Sequence, residues 1–347
     1  MGLKPSFGGL NVAITTPFTS KGDIDLLLFG MHSCQLTMCG VQGIVYLGTT
    51  GEGGYLAPDQ VKVLYAHLLD FRKISPKTKL IAGLVKPTIR DIFLQAERVY
   101  EDSADAFLVA PPFDESTSTE SVISLFKRMA QFGKPLIAYN IPQMTGFRFK
   151  VPLLQKIYDE TEGALVGVKD SAPSSTLLNN FFRIYSGKGE MPMQFLQGND
   201  RNLTYALTAL RLLQIRGNYP YELGSISGAS SFFPIAELEV AIHKAVNKGD
   251  CGYAERIQSY LNNDAFDVFN LAKQYGGEQP IIKAMISTIM GGAYPTQVSS
   301  ELTMPIGSDL QRIIDKAYGV YKVVREDVIN RRVLETMDTG QLPRRVI

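Results

Sequence analysis

Three cysteines (Cys34, Cys39 and Cys251) and three histidines (His32, His67 and His243) are all that 347 residues provide for disulfide or imidazole chemistry. So few cysteines form no disulfide framework, and they lack the close pairing of a zinc site. Three scattered histidines leave no His-rich metal centre, so no metal is expected. Excess charge is missing as well. Thirty-five Lys and Arg against 34 Asp and Glu leave a net +1, which selects neither nucleic acid nor an anionic membrane as partner. No apolar run approaches the roughly 18–20 residues that span a bilayer. The opening MGLKPSFGG has no apolar signal-peptide core, and a cytoplasmic location is the expectation. No Walker loop or GxGxxG pattern occurs, so nucleotide binding is unsupported and no cofactor is expected.

What is present is 45% hydrophobic and 20% charged. A globular chain of this length buries about three quarters of its extended surface without any cross-link. Short apolar runs alternate with longer amphipathic stretches. Strand-like runs occur at residues 10–18, at the start of GIVYLGTTGE, at 79–84, in DAFLVAPPF, in PLIAYNIP, and at 164–169, 193–197 and 224–227. Helical spacing fills 25–38, the stretch from Pro58 onward, 89–100, 119–131, 150–160, 174–184, 201–214 and 234–247. Eight units with short, apolar strands predict an α/β fold, a closed (β/α)8 TIM barrel over residues 1–247. A doubly wound sheet competes on strand count alone. Its first strand would lead into a dinucleotide or phosphate loop, and ITTPFTSKGD is neither. Residues 248–347 are expected to add C-terminal helices, packed on the barrel or on a partner subunit. They comprise a hairpin or interrupted helix at 250–275, a helix at 279–290 stopped by Gly291 and Gly292, and helices at 308–319 and 327–337.

Functional side chains of such a barrel emerge at the carboxyl ends of its strands. One end stands out: ALVGVK closes on Lys169 after nothing but apolar residues and glycine. Low-dielectric surroundings disfavour an ammonium. A neutral amine attacks a ketone or aldehyde to form a Schiff base, whose iminium stabilises an adjacent carbanion. Lys169 could equally reach solvent or pair with Asp170. Lys86 is the rival nucleophile, although Pro87 and Thr88 place it at a helix start with expected solvent exposure. Tyr139 ends the run LIAY, where a phenol either relays a proton or hydrogen-bonds to backbone at the core rim. GTTGE, residues 48–52, offers backbone donors at Gly48 and Gly51 and hydroxyls at Thr49 and Thr50, in a turn suited to a carboxylate. Asp114, Asp170 and Asp200 are the one set that could meet above the barrel around a divalent cation.

GTTGE, then YNIP at 139–142 with Thr145 and Gly146, then residues 167–170 around the lysine, then GSIS at 224–227, stand in an informative order and spacing. In these segments the chain resembles the dihydrodipicolinate synthase / N-acetylneuraminate lyase family of pyruvate-dependent class I aldolases, over about residues 9–300. The resemblance implies that Lys169 is the Schiff-base lysine and Tyr139 the proton-shuttling tyrosine. It implies that Thr49 links that tyrosine to a second relay group and that Thr50 binds the α-keto acid carboxylate. Gly198 and Ile226 would line the pyruvate end, and the assembly would be a homotetramer, a dimer of dimers. Two positions depart from the pattern. Met144 stands where members that make dihydrodipicolinate carry an arginine for the second substrate's carboxylate, and a thioether forms no bidentate ion pair. Asp114 stands where the inter-subunit relay tyrosine is expected; its carboxylate would accept a proton or bind a sugar hydroxyl.

The expected reaction is reversible aldol cleavage of a 2-keto-3-deoxy sugar acid, or a related hydroxylated 2-keto acid, to pyruvate and an aldehyde. Loss of a β-hydroxyl from the same iminium, a condensing synthase weakened by Met144, and a noncatalytic binding barrel are the alternatives. Residues 185–192, 214–222 and those after about 300 exceed a minimal member, and loop growth there can reshape a pocket.

Overall fold

Strand pairing runs in chain order around a full circle. In the computed structural model, residues 6–99, 104–113, 117–187, 189–299 and 302–330 are described, with side chains through residue 326. The strands are β1 (Gly9–Ala13), β2 (Gly43–Tyr46), β3 (Lys79–Leu84), β4 (Ala106–Val109), β5 (Leu136–Asn140), β6 (Leu165–Asp170), β7 (Gln194–Gln197) and β8 (Gly224–Ser227). All neighbours are parallel, and β1 closes on β8 with Gly9 opposite Gly224. The expected (β/α)8 barrel is therefore the observed fold, with further helices after it.

The strands are apolar on both faces because each face is covered. Val45, Ile81, Leu108, Ile137, Leu196 and Ile226 fill the barrel interior. Leu10, Ile44, Leu80, Phe107, Leu136 and Phe195 point outward into the layer beneath the helices. Helix starts are set locally: Asp25 accepts from the Leu28 amide at 3.0 Å, and Ser118 accepts from the Ser121 amide at 3.1 Å.

One irregularity determines where the lysine points. On β6, Leu165 faces the helices and Val166 the interior. Strict alternation would then send Val168 inward and Lys169 outward. The register with β5 shifts by one residue, so that Leu136 lies opposite Leu165 but Ile137 opposite Gly167. This inserted residue reverses the phase: Val168 joins the outer layer and Lys169 turns inward, beside Tyr139.

The segment 250–275 is an interrupted helix rather than a hairpin. An α-helix at Cys251–Tyr260 passes through a π-turn at Leu261–Ala265 into a 3-10 stretch at Asp267–Tyr275. The helix Gln279–Ile289 follows, close to expectation. The two short helices expected at 308–319 and 327–337 are corrected to one, Gly307–Asn330, within the described residues. Ile313, Ala317, Val320 and Val324 make a single buried stripe along it, and no helix breaker stands between 319 and 327 to divide it. Residues 331–337 lie outside the described residues. The insertions near 185–192 and 214–222 meet each other at the amino-terminal ends of β7 and β8, where the Met191 amide donates to the Asn218 carbonyl at 2.9 Å. They sit at the end of the barrel opposite the strand-end lysine and do not shape its surroundings.

His32 and His243 are buried. A ring nitrogen of His32 lies 2.7 Å from the Ser231 carbonyl, and one of His243 lies 2.7 Å from the Ser225 hydroxyl. Burial pushes both imidazoles down to about 4. In the unfolded chain they would bind protons near 6.5, so between pH 6.5 and 4 the unfolded state holds more protons and stability falls with pH. Each histidine accounts for a loss of about 2 kcal/mol by pH 5. The double variant His32→Gln/His243→Gln, less stable at pH 7, is expected to lose less stability than the parent between pH 7 and 5. Urea unfolding at both pH values measures this, and equal losses would refute it.

Candidate active site

Lys169, the fifth residue of β6, and Tyr139, the fourth of β5, are register partners, so both side chains project from adjacent strands toward the same mouth. Lys169 is 4% exposed and Tyr139 3%. The Lys169 ammonium nitrogen lies 3.3 Å from the Tyr139 hydroxyl and 4.3 Å from its ring centroid. The Tyr139 hydroxyl in turn lies 3.3 Å from the Thr49 Oγ1. An amine, a phenol and an alcohol thus form a continuous hydrogen-bonded chain. Asp170 does not compete for the lysine, because its carboxylate accepts from the Asn140 side-chain amide at 2.7 Å and the Ala172 amide at 3.2 Å.

Gly198 makes room for this arrangement. A Cβ there would stand 2.8 Å from the Lys169 Cε and collide with the Ser171 hydroxyl, so the lysine stem occupies the space that a side chain would need. Ile226 is fully buried in the interior cluster that contains Tyr139. Thr49 and Thr50 are half-buried, and Thr50 packs against Gly228, just beyond β8. The turn between them is held in an unusual backbone form, with Leu47 at φ 59° and Glu52 at φ 56°. Gly51 is fixed by the Thr16 hydroxyl, which donates to its carbonyl at 2.7 Å. Gly48 lies against Gly83 of β3, where a Cβ would approach the Gly48 amide to 2.6 Å.

The rival lysine is placed differently from expectation. Lys86 is buried rather than solvent-exposed, at 9%. Burial pushes it down to about 8, and it donates to the carbonyls of Gly53 at 2.7 Å and Gly54 at 3.2 Å. It closes the far end of the GTTGE loop, and among the described residues no phenol or hydroxyl side chain is bonded to it. Met144 lies at the rim, 37% exposed, in the single helical turn Pro142–Thr145. Asp114 lies outside the described residues. Among the described residues, no group of three or more His, Cys, Asp or Glu could hold a metal ion.

Several residues at and behind the mouth find their partners only in the folded barrel. Asp200, just after β7, is pushed up to about 6 by burial; the Ala229 amide, Ser227, Lys169 and Arg201 pull it partly back. Beneath it, fully buried Glu239 accepts from Ser230 at 2.8 Å, and burial followed by the charge of Asp200 holds it well above the usual carboxylate range. Behind the loop, Glu52 and Lys283 form an ion pair with no exposure on either side chain. The Ser299 amide donates to Glu52 at 2.6 Å and Lys283 donates to the Gln297 carbonyl at 2.6 Å. Gln279 donates to the Thr49 carbonyl at 2.9 Å. The post-barrel segment thus fastens the loop from outside the barrel. The partners that tie Thr49 and Glu52 to this segment lie more than 200 positions away in the chain, so no local pattern marks those contacts.

Known proteins resemble the chain in sequence and in fold. The chain is 26% identical over 233 residues to a 4-hydroxy-tetrahydrodipicolinate synthase of Prochlorococcus marinus, covering 65% of this chain and 77% of the relative. It is 25% identical over 250 residues to YagE of Escherichia coli K12, provisionally assigned as a 2-dehydro-3-deoxy-D-gluconate aldolase, covering 72% and 77%. The crystal structure of YagE in complex with pyruvate superimposes with a TM-score of 0.77 at 21% identity, over 91% of this chain and 99% of YagE. A sialic acid aldolase of Ruminococcus gnavus matches the fold at a TM-score of 0.77 and 17% identity, over 92% and 99%. A model of the dihydrodipicolinate synthetase family matches residues 6–210, more than half of the sequence. With the barrel and strand-end residues described above, this match establishes that the chain belongs to the dihydrodipicolinate synthetase family of pyruvate-dependent class I aldolases and condensing enzymes.

Proposed function

We propose that this protein is a Schiff-base lyase that cleaves a 2-keto-3-deoxy sugar acid, or a related hydroxylated 2-keto acid, reversibly to pyruvate and an aldehyde. The observation that carries the proposal is the buried chain from Lys169 through Tyr139 to Thr49. The Lys169 amine adds to the 2-keto carbon, water departs, and an iminium forms. The Tyr139 phenol gives its proton to the departing hydroxyl as that water forms, and its oxygen then takes the proton of the hydroxyl on carbon 4 as the bond between carbons 3 and 4 breaks. The bond's electron pair passes into the iminium, leaving an enamine and releasing the aldehyde. Protonation of the enamine carbon and hydrolysis return pyruvate and free Lys169. Thr50 and the amides of the GTTGE turn bind the carboxylate, and Gly198 and Ile226 leave a small apolar space for the methyl end. Met144 supports cleavage over condensation with a carboxylated second substrate, because no guanidinium stands at that position.

Borohydride reduction with and without pyruvate, followed by intact mass and peptide mapping, tests the covalent step. A pyruvate adduct on Lys169 is expected. Labelling on Lys86 would overturn the site, and no adduct with pyruvate or other 2-keto acids would overturn the lyase itself. Product analysis with hydroxylated 2-keto acids then separates pyruvate release from loss of water.

A further inference from the structure

The acceptor end of the pocket has a wall that lies beyond the part of the chain matched to the family. Gly276, at φ 78°, ends the 3-10 stretch Asp267–Tyr275 and turns the chain back to the mouth. Two residues later comes Glu278, immediately before the helix Gln279–Ile289. The next residue, Gln279, donates to the Thr49 carbonyl at 2.9 Å, and Thr49 leads through Tyr139 to Lys169 in two steps of 3.3 Å each. Glu278 is therefore anchored one residue from the reactive chain. On the far side, Gln258 and Asn262 of the same post-barrel segment donate to the carbonyls of Asp200 and Arg201, each at 3.0 Å. The segment spans the mouth from the end of β7 to the end of β2, and Glu278 lies along that span.

The side chain has the features of a ligand-facing group. Glu278 is solvent-exposed, and among the described residues its carboxyl group makes no hydrogen bond or ion pair. Yet protein surrounds it closely enough that burial, then the charge of Asp200, pushes its carboxyl up to about 7, against the pull of Arg201 and Lys169. A carboxylate on a convex surface is exposed and little shifted; one on the wall of an open cavity is both accessible and shifted. Arg201, the nearest alternative partner, donates to the Phe266 carbonyl at 2.8 Å and stands over that residue's ring at 5.6 Å.

From this arrangement we infer that Glu278, on the segment that spans the mouth from Asp200 to Thr49, selects an uncharged, hydroxyl-bearing aldehyde as the acceptor and rejects aldehydes with a phosphate or carboxylate at the far end. The inference rests on the lyase reading above. The Glu278 carboxyl, and the Asp200 carboxyl beyond the bonds it accepts from the Ala229 amide and Ser227, offer acceptors, and when protonated donors, to neighbouring hydroxyls. A second anion would meet like charge in a site where burial and the charge of Asp200 already disfavour an ionised Glu278.

The test is condensation of pyruvate with D-glyceraldehyde, with glyceraldehyde 3-phosphate and with an amino-substituted aldehyde, comparing kcat/KM for the parent, Glu278→Gln and Glu278→Lys. Pyruvate trapping at Lys169 is measured in each protein as a separate readout. The parent is expected to prefer glyceraldehyde over its phosphate by at least about tenfold, or about 1.4 kcal/mol. Glu278→Gln should narrow that ratio and Glu278→Lys should narrow it further or reverse it. Intact trapping with a ratio unchanged in both variants overturns this inference alone. So does a parent that uses the phosphate equally well, or one that prefers the amine. Failure of the parent to trap any 2-keto acid overturns the lyase reading and this inference with it.

Discussion

Replacing Lys169 with methionine is expected to abolish pyruvate trapping and to lower turnover on the order of 10⁴-fold or more, while the circular dichroism spectrum and melting behaviour stay close to those of the parent. Methionine keeps the unbranched stem that fits against Gly198 and removes only the nucleophile. A loss of 10⁴ corresponds to about 5.5 kcal/mol of transition-state stabilisation, a size appropriate to deleting the group on which the intermediate forms. Tyr139→Phe separates the roles within the chain. It removes the hydroxyl that lies 3.3 Å from both Lys169 and Thr49, but leaves the amine. Trapping should persist at a reduced rate, with turnover down by about 10²–10⁴. Residual turnover of the Lys169→Met protein within tenfold of the parent would rule out covalent catalysis. Equal loss of trapping in both variants would assign Tyr139 to forming the Schiff base rather than to bond cleavage.

The second large effect concerns stability. Lys283→Met or Glu52→Leu should each cost about 3–5 kcal/mol, because each leaves a buried group without its partner. Burial lowers the Lys283 ammonium, and Glu52 opposes that shift. Losing the carboxylate therefore leaves the cation with only the Gln297 carbonyl and the Phe18 ring, 4.3 Å from its centroid. The double variant Glu52→Leu/Lys283→Met should cost less than the sum of the single changes, since an apolar pair of similar volume avoids both desolvation penalties. Chemical denaturation of all four proteins gives the coupling energy. Additive losses, or single losses under about 1 kcal/mol, would mean that the pair does not hold the loop. Because Glu52 sits at φ 56° at the end of the GTTGE turn, releasing it should also weaken pyruvate binding through Thr49 and Thr50.

Much of the fold could be read from local pattern. The helices expected from about Pro58, from 119 and from 234 followed the apolar period and, at Pro58, the preference of proline for the first turn, and the observed helices begin at Pro58, Thr119 and Phe233. Lys169 was conspicuous because a lone charge ends an otherwise apolar strand, and GTTGE because its spacing to Tyr139 and Lys169 carries the family resemblance. Lys86 was misread as exposed because the local signal, Pro87 and Thr88, says nothing about the GTTGE loop folding back over it. The last helix, expected as two pieces at 308–319 and 327–337, runs on through Gly319, because Ile313, Ala317, Val320 and Val324 bury one continuous stripe.

The sequence by itself determined the eight strand–helix units, their apolar cores and the residue types that arrive at the strand ends, because these depend on contacts a few residues apart. Tertiary structure decided the rest. Whether Lys169 faces the interior or the helices depends on one inserted residue opposite β5, and shifting a strand by one residue exchanges its two faces. Whether the GTTGE loop is held, and what stands across from it, depends on Gln279, Lys283, Ser299 and Glu278, which reach it only after the chain has circled the barrel. Such partners have no common period with the residues they meet, so the closing of the barrel, not any local rule, brings them together.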